Sequence, residues 1–378
     1  MNPSTAGANL PAVRSHNAAL VLGLLRAATV AGDGTPAAGG TTAAVGRGGG
    51  LSRLELAERT GLTPQAVSKI TARLRAEGLV EEAGRRASTG GKPRTELRLA
   101  ARARYAVGVH LDGERLTAVL TDLAGRTVAD HEAPLDLDVP VGRGVAAIAA
   151  DVRSTAALAP GPVLGVGIGI RGPLDHTTGT LHAVTGYPHW AGYPLRTALA
   201  HRLGVPVTVD KNTNAAALAV LAQAVPVPAA PRSFAYLHLG TGLGAALVLD
   251  GALYRGGRTG AGEFGHQVVR LDGPPCKCGN RGCLEALCLD AVHRGDPRTA
   301  ARLLGVGAAN LVALLDVDHI VLGGRTVLTA PALFRDEVAA VLAERGRPVP
   351  VTGAGPRAVA EGAALLALTP LFTHGALT

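Results

Sequence analysis

Residues 262–285 read GEFGHQVVRLDGPPCKCGNRGCLE, and their spacing is the most specific signal in the chain. His266 is followed, after a polar and glycine-containing stretch, by Cys276-x-Cys278-x4-Cys283. One imidazole and three thiolates match the ligand set of a closed, tetrahedral structural zinc site, one ion per chain. Gly273, Gly279 and Gly282 let the backbone wrap such an ion tightly. The competing reading is a reduced, buried cysteine cluster beside an unrelated histidine, which a polar loop disfavours. Cys288 lies in the apolar run EALCLDAV and reads as a core residue. All four cysteines fall between residues 276 and 288, and in a chain without a secretory signal such clustering points to metal before disulfides.

Around this loop the chain reads as α/β, with strand-like and helical stretches alternating from Tyr105 onward. Two hairpins look alike. The first is YAVGVHL (105–111), a turn at Asp112-Gly113, then LTAVLTDLAG (116–125). The second is SFAYLHL (233–239), the turn Gly240-Thr241-Gly242-Leu243-Gly244, then AALVLDG (245–251). This weak internal repeat suggests two lobes, 105–230 and 231–378, similar to actin-like ATPases and sugar kinases. Hydrophobic residues make up 47% of the chain and aromatic ones only 3%, a small-residue α/β composition. No run of about eighteen apolar residues occurs, so no membrane helix is expected. The start of the chain lacks a charged segment followed by an apolar signal core, so a cytoplasmic location is expected.

The formal net charge of +8 is unevenly placed. Residues 1–104 hold 15 Lys+Arg against 7 Asp+Glu, whereas residues 105–378 hold 22 of each. A basic module on a neutral body suits phosphate-backbone binding. Within it, HNAALVLGLLRA (16–27) predicts a first helix, and the Gly/Ala-rich stretch 28–50 reads as a flexible insertion. Ser52 with Glu55 forms a capping box for a helix through Arg59, and Gly61 provides a turn. Thr63 then caps a second helix with Pro64 at its first position. There Val67, Ile70 and Leu74 share one face, while Gln65, Ser68, Lys69 and Ala72 face outward with Arg73 and Arg75 at the flanks. This is a helix-turn-helix pattern, whose outward residues are expected to enter the major groove of an operator. Gln suits adenine edges and Lys suits guanine. The segment 77–99 reads as a β-hairpin wing, with strands near 79–82 and 95–99 and Arg85, Arg86, Lys92 and Arg94 on its tip. The bland alternative is a three-helix bundle with a solvated charged face; caps, turn, wing and localised charge together favour DNA.

The zinc-loop residues resemble, almost position for position, those of the ROK family (repressors, open reading frames and kinases). GVGIGIRGPLD (165–175), the turn 240–244, IVLGG (320–324) and AVAEGAALLAL (358–368) also match, so the resemblance runs from about residue 14 to the end. It implies an N-terminal winged helix-turn-helix (1–104) followed by a two-lobed, sugar-kinase-like domain. It also implies that Glu263, His266, Glu285 and Asn212 contact the sugar; a supporting role behind the zinc ligands is the other reading of the two glutamates.

Departures from the family pattern separate kinase from regulator. The family's Asn-Asp-Ala-Asn motif, whose Asp is the general base, reads Lys211-Asn212-Thr213-Asn214 here. Asn212 cannot accept the sugar proton, and the preceding Asp210 stands at the wrong spacing. The phosphate loop Asp-x-Gly-Gly-Thr reads His110-Leu111-Asp112-Gly113-Glu114, putting a carboxylate where a γ-phosphate would lie. No ATP requirement is expected. The sugar loop is altered as well, with Thr185 near the expected Asn, and the lone Trp190 either lines the cleft or packs. Lys211 suggests an acidic or phosphorylated effector, or none. The expected protein is a homodimeric, sugar-responsive repressor on an inverted repeat of double-stranded DNA, with no membrane partner. The alternatives are an active sugar kinase and an effector-independent DNA-binding dimer.

Overall fold

The computed structural model describes residues 10–33, 49–86, 94–184, 187–223 and 232–374. Its first helix, α1 (Leu10–Asp33), runs further than the apolar spacing predicted. Ala28 and Thr29, expected to open a flexible insertion, are buried in it, and the Thr29 hydroxyl donates to the Leu25 carbonyl at 2.8 Å. Alanine is the strongest helix former, so an Ala-containing continuation prolongs the helix. The rest of the expected insertion, 34–48, lies outside the described residues. Next come β1 (Leu51–Ser52), α2 (Arg53–Thr60) and α3 (Pro64–Ala76). The capping box is formed in both directions: Glu55 N donates to Ser52 Oγ at 3.3 Å and Ser52 N to Glu55 Oε2 at 2.7 Å. The wing comprises β2 (Val80–Arg86) and β3 (Arg94–Leu99), with β1 on the far edge of β3. Both strands outrun their predicted ends. Arg85, Arg86 and Arg94 therefore belong to the paired ladder, with Arg86 opposite Arg94, and Lys92 lies outside the described residues.

The first lobe contains β4 (Tyr105–Leu111), β5 (Arg115–Asp122), β6 (Thr127–Pro134), α4 (Val141–Ala156) and β7 (Val163–Ile170). It continues through the short pair β8 (Leu174–Asp175) and β9 (Thr180–Leu181), then α5 (Leu195–Leu203), β10 (Val207–Lys211) and α6 (Asn212–Gln223). The second contains β11 (Phe234–Leu239), β12 (Leu243–Leu249), β13 (Ala252–Tyr254), α7 (Leu284–His293) and α8 (Pro297–Leu315). It goes on with β14 (His319–Gly323), α9 (Arg325–Thr329), α10 (Pro331–Glu344) and β15 (Val351–Gly353). The sheet orders are β10-β7-β4-β5-β6 and β15-β14-β11-β12-β13. In each, an antiparallel hairpin is extended on one side by parallel strands. The repeat glimpsed in two hairpins is thus a repeat of whole sheets. Among the described helices α8 alone has the length and hydropathy of a membrane span, and half of that span is buried inside the protein.

The chain-order division at residue 230 misses one crossing. The last helix, α11 (Ala358–His374), returns to the first lobe and lies on β4, β7 and α6. Bare backbone makes this possible: a Cβ at Gly108 would sit 2.0 Å from the Ala360 carbonyl, and one at Gly167 1.7 Å from that of Ala363. On its outer side α11 meets α1. Leu22 and Leu25 of α1, Leu56, Val67 and Leu97 of the winged helix, and Ala364 and Leu368 of α11 form one buried cluster. The DNA-binding module and the first lobe therefore share a hydrophobic core.

Candidate functional site

Between the lobes lies a cleft of about 300 Å³. Its walls are loops at the C-terminal ends of β4, β7, β10 and β11, the usual place for ligands in α/β sheets. Asn212, Glu263, His266 and Glu285 all line it. Glu285, in the first turn of α7, accepts from Leu243 N at 2.8 Å with one carboxylate oxygen and so ties α7 to the Gly240–Gly244 turn. Asn212 opens α6, its Oδ1 accepting from Thr213 N at 2.9 Å.

Lys211 does not present a free charge to the cleft. Its side chain is 5% exposed, and Nζ donates to Glu263 Oε1 at 3.2 Å and to the Ala261 carbonyl. The partner expected in an acidic effector is supplied by the protein. Asp210 is also committed: it accepts from Lys211 N at 2.7 Å, Asn214 Nδ2 at 2.8 Å and Arg255 Nε at 2.8 Å. Buried, accepting three hydrogen bonds and paired with a guanidinium, this carboxylate is held in place by the protein's own groups.

Where the first hairpin turn meets the other lobe, several polar side chains contact one another. Glu114 Oε2 accepts from Arg325 Nη1 of the other lobe at 3.2 Å. Arg171 Nη2 donates to Thr241 Oγ1, which donates in turn to Asp112 Oδ1 at 3.5 Å. Behind them the rings of His110 and His238 meet edge-on, 5.9 Å apart. Burial, aided by the Arg171 charge, pushes His110 down to about 4. Burial and then the His110 charge push His238 down to about 3. Both are neutral at neutral pH. His110 Nε2 is buried without a partner among the described residues.

His266, Cys276, Cys278 and Cys283 converge on one point, their ligand atoms all within 4.8 Å of one another. Cys278 and Cys283 sulfurs are 3.7 Å apart, as are Cys276 Sγ and His266 Nδ1. A tetrahedron with Zn–S bonds of about 2.3 Å has S···S edges of about 3.8 Å. Gly282, at φ 66°, lets the loop close, since a Cβ there would lie 1.5 Å from the Arg270 carbonyl. This group has the composition and spacing to hold a metal ion. Cys288 is separate: fully buried, it donates to the Ala300 carbonyl at 3.7 Å.

On α3, Val67 and Leu74 are fully buried and Ile70 is half-buried, while Gln65, Ser68, Lys69, Ala72 and Arg73 are exposed. Arg73 pairs with Glu77 at 3.5 Å and Arg75 with Glu82 at 3.0 Å, so neither is a bare charge. Arg94 is exposed at the start of β3. Thr71, which sequence reasoning overlooked, is buried and accepts from Arg53 Nε at 3.4 Å, bracing α2 on α3.

Sequence reasoning also missed Arg171, Tyr187, Thr241 and Lys277 in the cleft. Lys277 had a signal, because a residue between two converging cysteines must point away from them. Trp190 packs: it is 1% exposed and donates from Nε1 to the Leu137 carbonyl at 2.8 Å. Thr185 lies outside the described residues.

Comparison with known proteins agrees with this anatomy. Residues 106–294 match the ROK family model, and residues 36–88 match a MarR family model. The xylose repressor of Bacillus spizizenii is 26% identical over 319 residues, covering 75% of this chain and 80% of that protein. A ROK hexokinase from Thermus thermophilus is 30% identical, with a TM-score of 0.58 over 71% of this chain and 99% of its own. A ROK transcriptional regulator homologous to the Escherichia coli MLC protein shares the fold across 96% of this chain and 97% of its own, at TM-score 0.72 and 20% identity. With half its length matched by the family model, and the matched half holding both the cleft and the metal-binding loop, the chain belongs to the ROK family.

Proposed function

We propose that this protein is a transcriptional repressor of carbohydrate genes, acting in the cytoplasm as a homodimer and responding to a neutral sugar held between its lobes. The observation that carries the reading is the outward face of α3, where Gln65, Ser68 and Lys69 are exposed on a helix capped and braced for insertion into a major groove. Similarity to a xylose repressor supports it. In the cleft, Glu263, Glu285, Asn212 and His266 offer acceptors and donors for hydroxyls. The internal Lys211–Glu263 pair favours an uncharged sugar over an acid or phosphate.

The sugar would be bound and not phosphorylated. Asn212 lacks a proton acceptor, Asp210 is buried and paired with Arg255, and the Glu114 carboxylate stands where a phosphate would need a cation. Phosphoryl transfer depends on positioning and charge stabilisation, and both are missing. His266, Cys276, Cys278 and Cys283 would hold one structural zinc ion, fixing His266 at the cleft wall. The test is binding of the full chain to genomic fragments with and without xylose, glucose and their phosphates. Sequence-selective binding weakened by a neutral sugar is expected. Binding without sequence preference, or sugar-dependent ATP consumption, overturns the reading.

A further inference from the structure

The seam between α1 and α11 holds a second cavity, of about 380 Å³. Its walls are mostly apolar, with Ala27 and Val30 of α1, Ala219 and Ala222 of α6, and Leu365 and Phe372 of α11, while Arg126 and Glu361 also line it. Volume and lining fall in the range of small-molecule sites, about 300–1,000 Å³ and mostly hydrophobic with few polar groups. One of those groups is a guanidinium. Arg26 lies over the Phe372 ring, 4.9 Å from its centroid, and its Nε donates to the Ala124 carbonyl at 3.4 Å. Gly125, at φ 89°, lets it approach, because a Cβ there would stand 2.9 Å from Nη2.

The guanidinium is thus placed from three sides, yet among the described residues no carboxylate hydrogen-bonds to it. The nearby Asp122 is taken by Ala124 N at 2.9 Å, Arg126 N at 3.0 Å and Arg126 Nε at 2.9 Å. Glu361, the carboxylate that lines the cavity, accepts from Thr127 Oγ1 at 3.5 Å, and half-buried Arg26 keeps guanidinium N–H groups with no acceptor among the described residues. We propose that this cavity is a second ligand site, for a small amphipathic monoanion whose apolar body fills the seam and whose carboxylate pairs with Arg26. The walls belong to both the DNA-binding module and the first lobe, so the occupant alters how the two are held together and thereby DNA affinity.

The full chain is titrated calorimetrically with octanoate, and with octan-1-ol as the uncharged control. Saturable octanoate uptake, one per chain, is expected. Arg26→Met, which keeps the stem on Phe372, weakens octanoate by about tenfold or more and leaves octanol unchanged. Ala222→Phe and, separately, Val30→Trp fill the cavity and abolish both, with melting temperature checking that each variant folds. Octanoate also shifts DNA affinity in the unmodified chain and not in the filled variants. Absence of saturable uptake, or uptake indifferent to the filling substitutions, overturns the site. Octanoate binding that survives Arg26→Met overturns the ligand class. None of these readouts involves the interlobe sugar, so failure here leaves the proposed function standing.

Discussion

Lys211 and Asn212 stand at the junction of β10 and α6, where a kinase of this family needs an amide and a proton acceptor. Restoring the acceptor alone leaves Glu114 paired with Arg325 and Lys211 paired with Glu263. Asn212→Asp should therefore show no sugar-dependent ATP consumption above a heat-killed control. A second residue-scale expectation concerns His110 and His238, pushed down from the ordinary 6.5 to about 4 and about 3. The unfolded chain takes up protons below 6.5 while the folded one does not. Their contribution is full above that pH and is lost as pH falls toward 4, on the order of 3 kcal/mol for His110. Thermal melts from pH 7 to 4 should fall less steeply for His110→Gln than for the unmodified chain. Equal slopes would remove His110 from the account.

At the scale of elements, the proposed function assigns DNA binding to α3 and the wing in different parts. Gln65→Ala or Lys69→Ala should cost about 1–3 kcal/mol on the preferred sequence and blunt discrimination. Arg94→Ala should lower affinity for all sequences alike and flatten its salt dependence. Binding of the three variants across a salt series checks both, and sequence preference lost with Arg94 alone would mean the wrong element was assigned to the groove. The metal-binding loop makes a parallel contrast: Cys278→Ser should lose zinc and lower the melting temperature, whereas Cys288→Ser should keep its metal on elemental analysis. These elements were legible in the sequence because their signals are local. A capping box spans four residues, Ser52 to Glu55, and Cys276–Cys283 spans eight. The reach of α1 past Ala27 was missed because Ala-rich sequence suits both helix and linker, and tertiary burial of Ala28 decided between them. The pairing of Lys211 with Glu263 was missed for the opposite reason, since no local pattern foretells a contact across 52 positions.

For the whole molecule, the shared core predicts that the winged helix does not unfold alone. Leu368→Ala, far from any DNA-contacting residue, should destabilise by about 2–5 kcal/mol. It should weaken protection of α1 and β3 along with that of β4. Hydrogen exchange would read this directly, and full protection of the winged helix in Leu368→Ala would show that its core is its own. The two-lobed plan was foreseen from paired hairpins, but the crossing of α11 was not. Nothing in AVAEGAALLAL says which lobe it joins, because Gly108 and Gly167 make room for it by what they lack.

That crossing bears on how the protein is made. A ribosome delivers the DNA-reading helix within the first eighty residues, yet Ala360, Ala364, Leu368 and Leu371, which complete the packing around α1, emerge only with the end of the described chain. Until then the nascent winged helix exposes the apolar flank of α1 to solvent and to chaperones. Synthesis halted before residue 358 would yield a fragment that carries the whole winged helix but lacks the helix packed against α1. Such a fragment is expected to be cut by proteases faster than the full chain, because the α11 residues that cover α1 are missing.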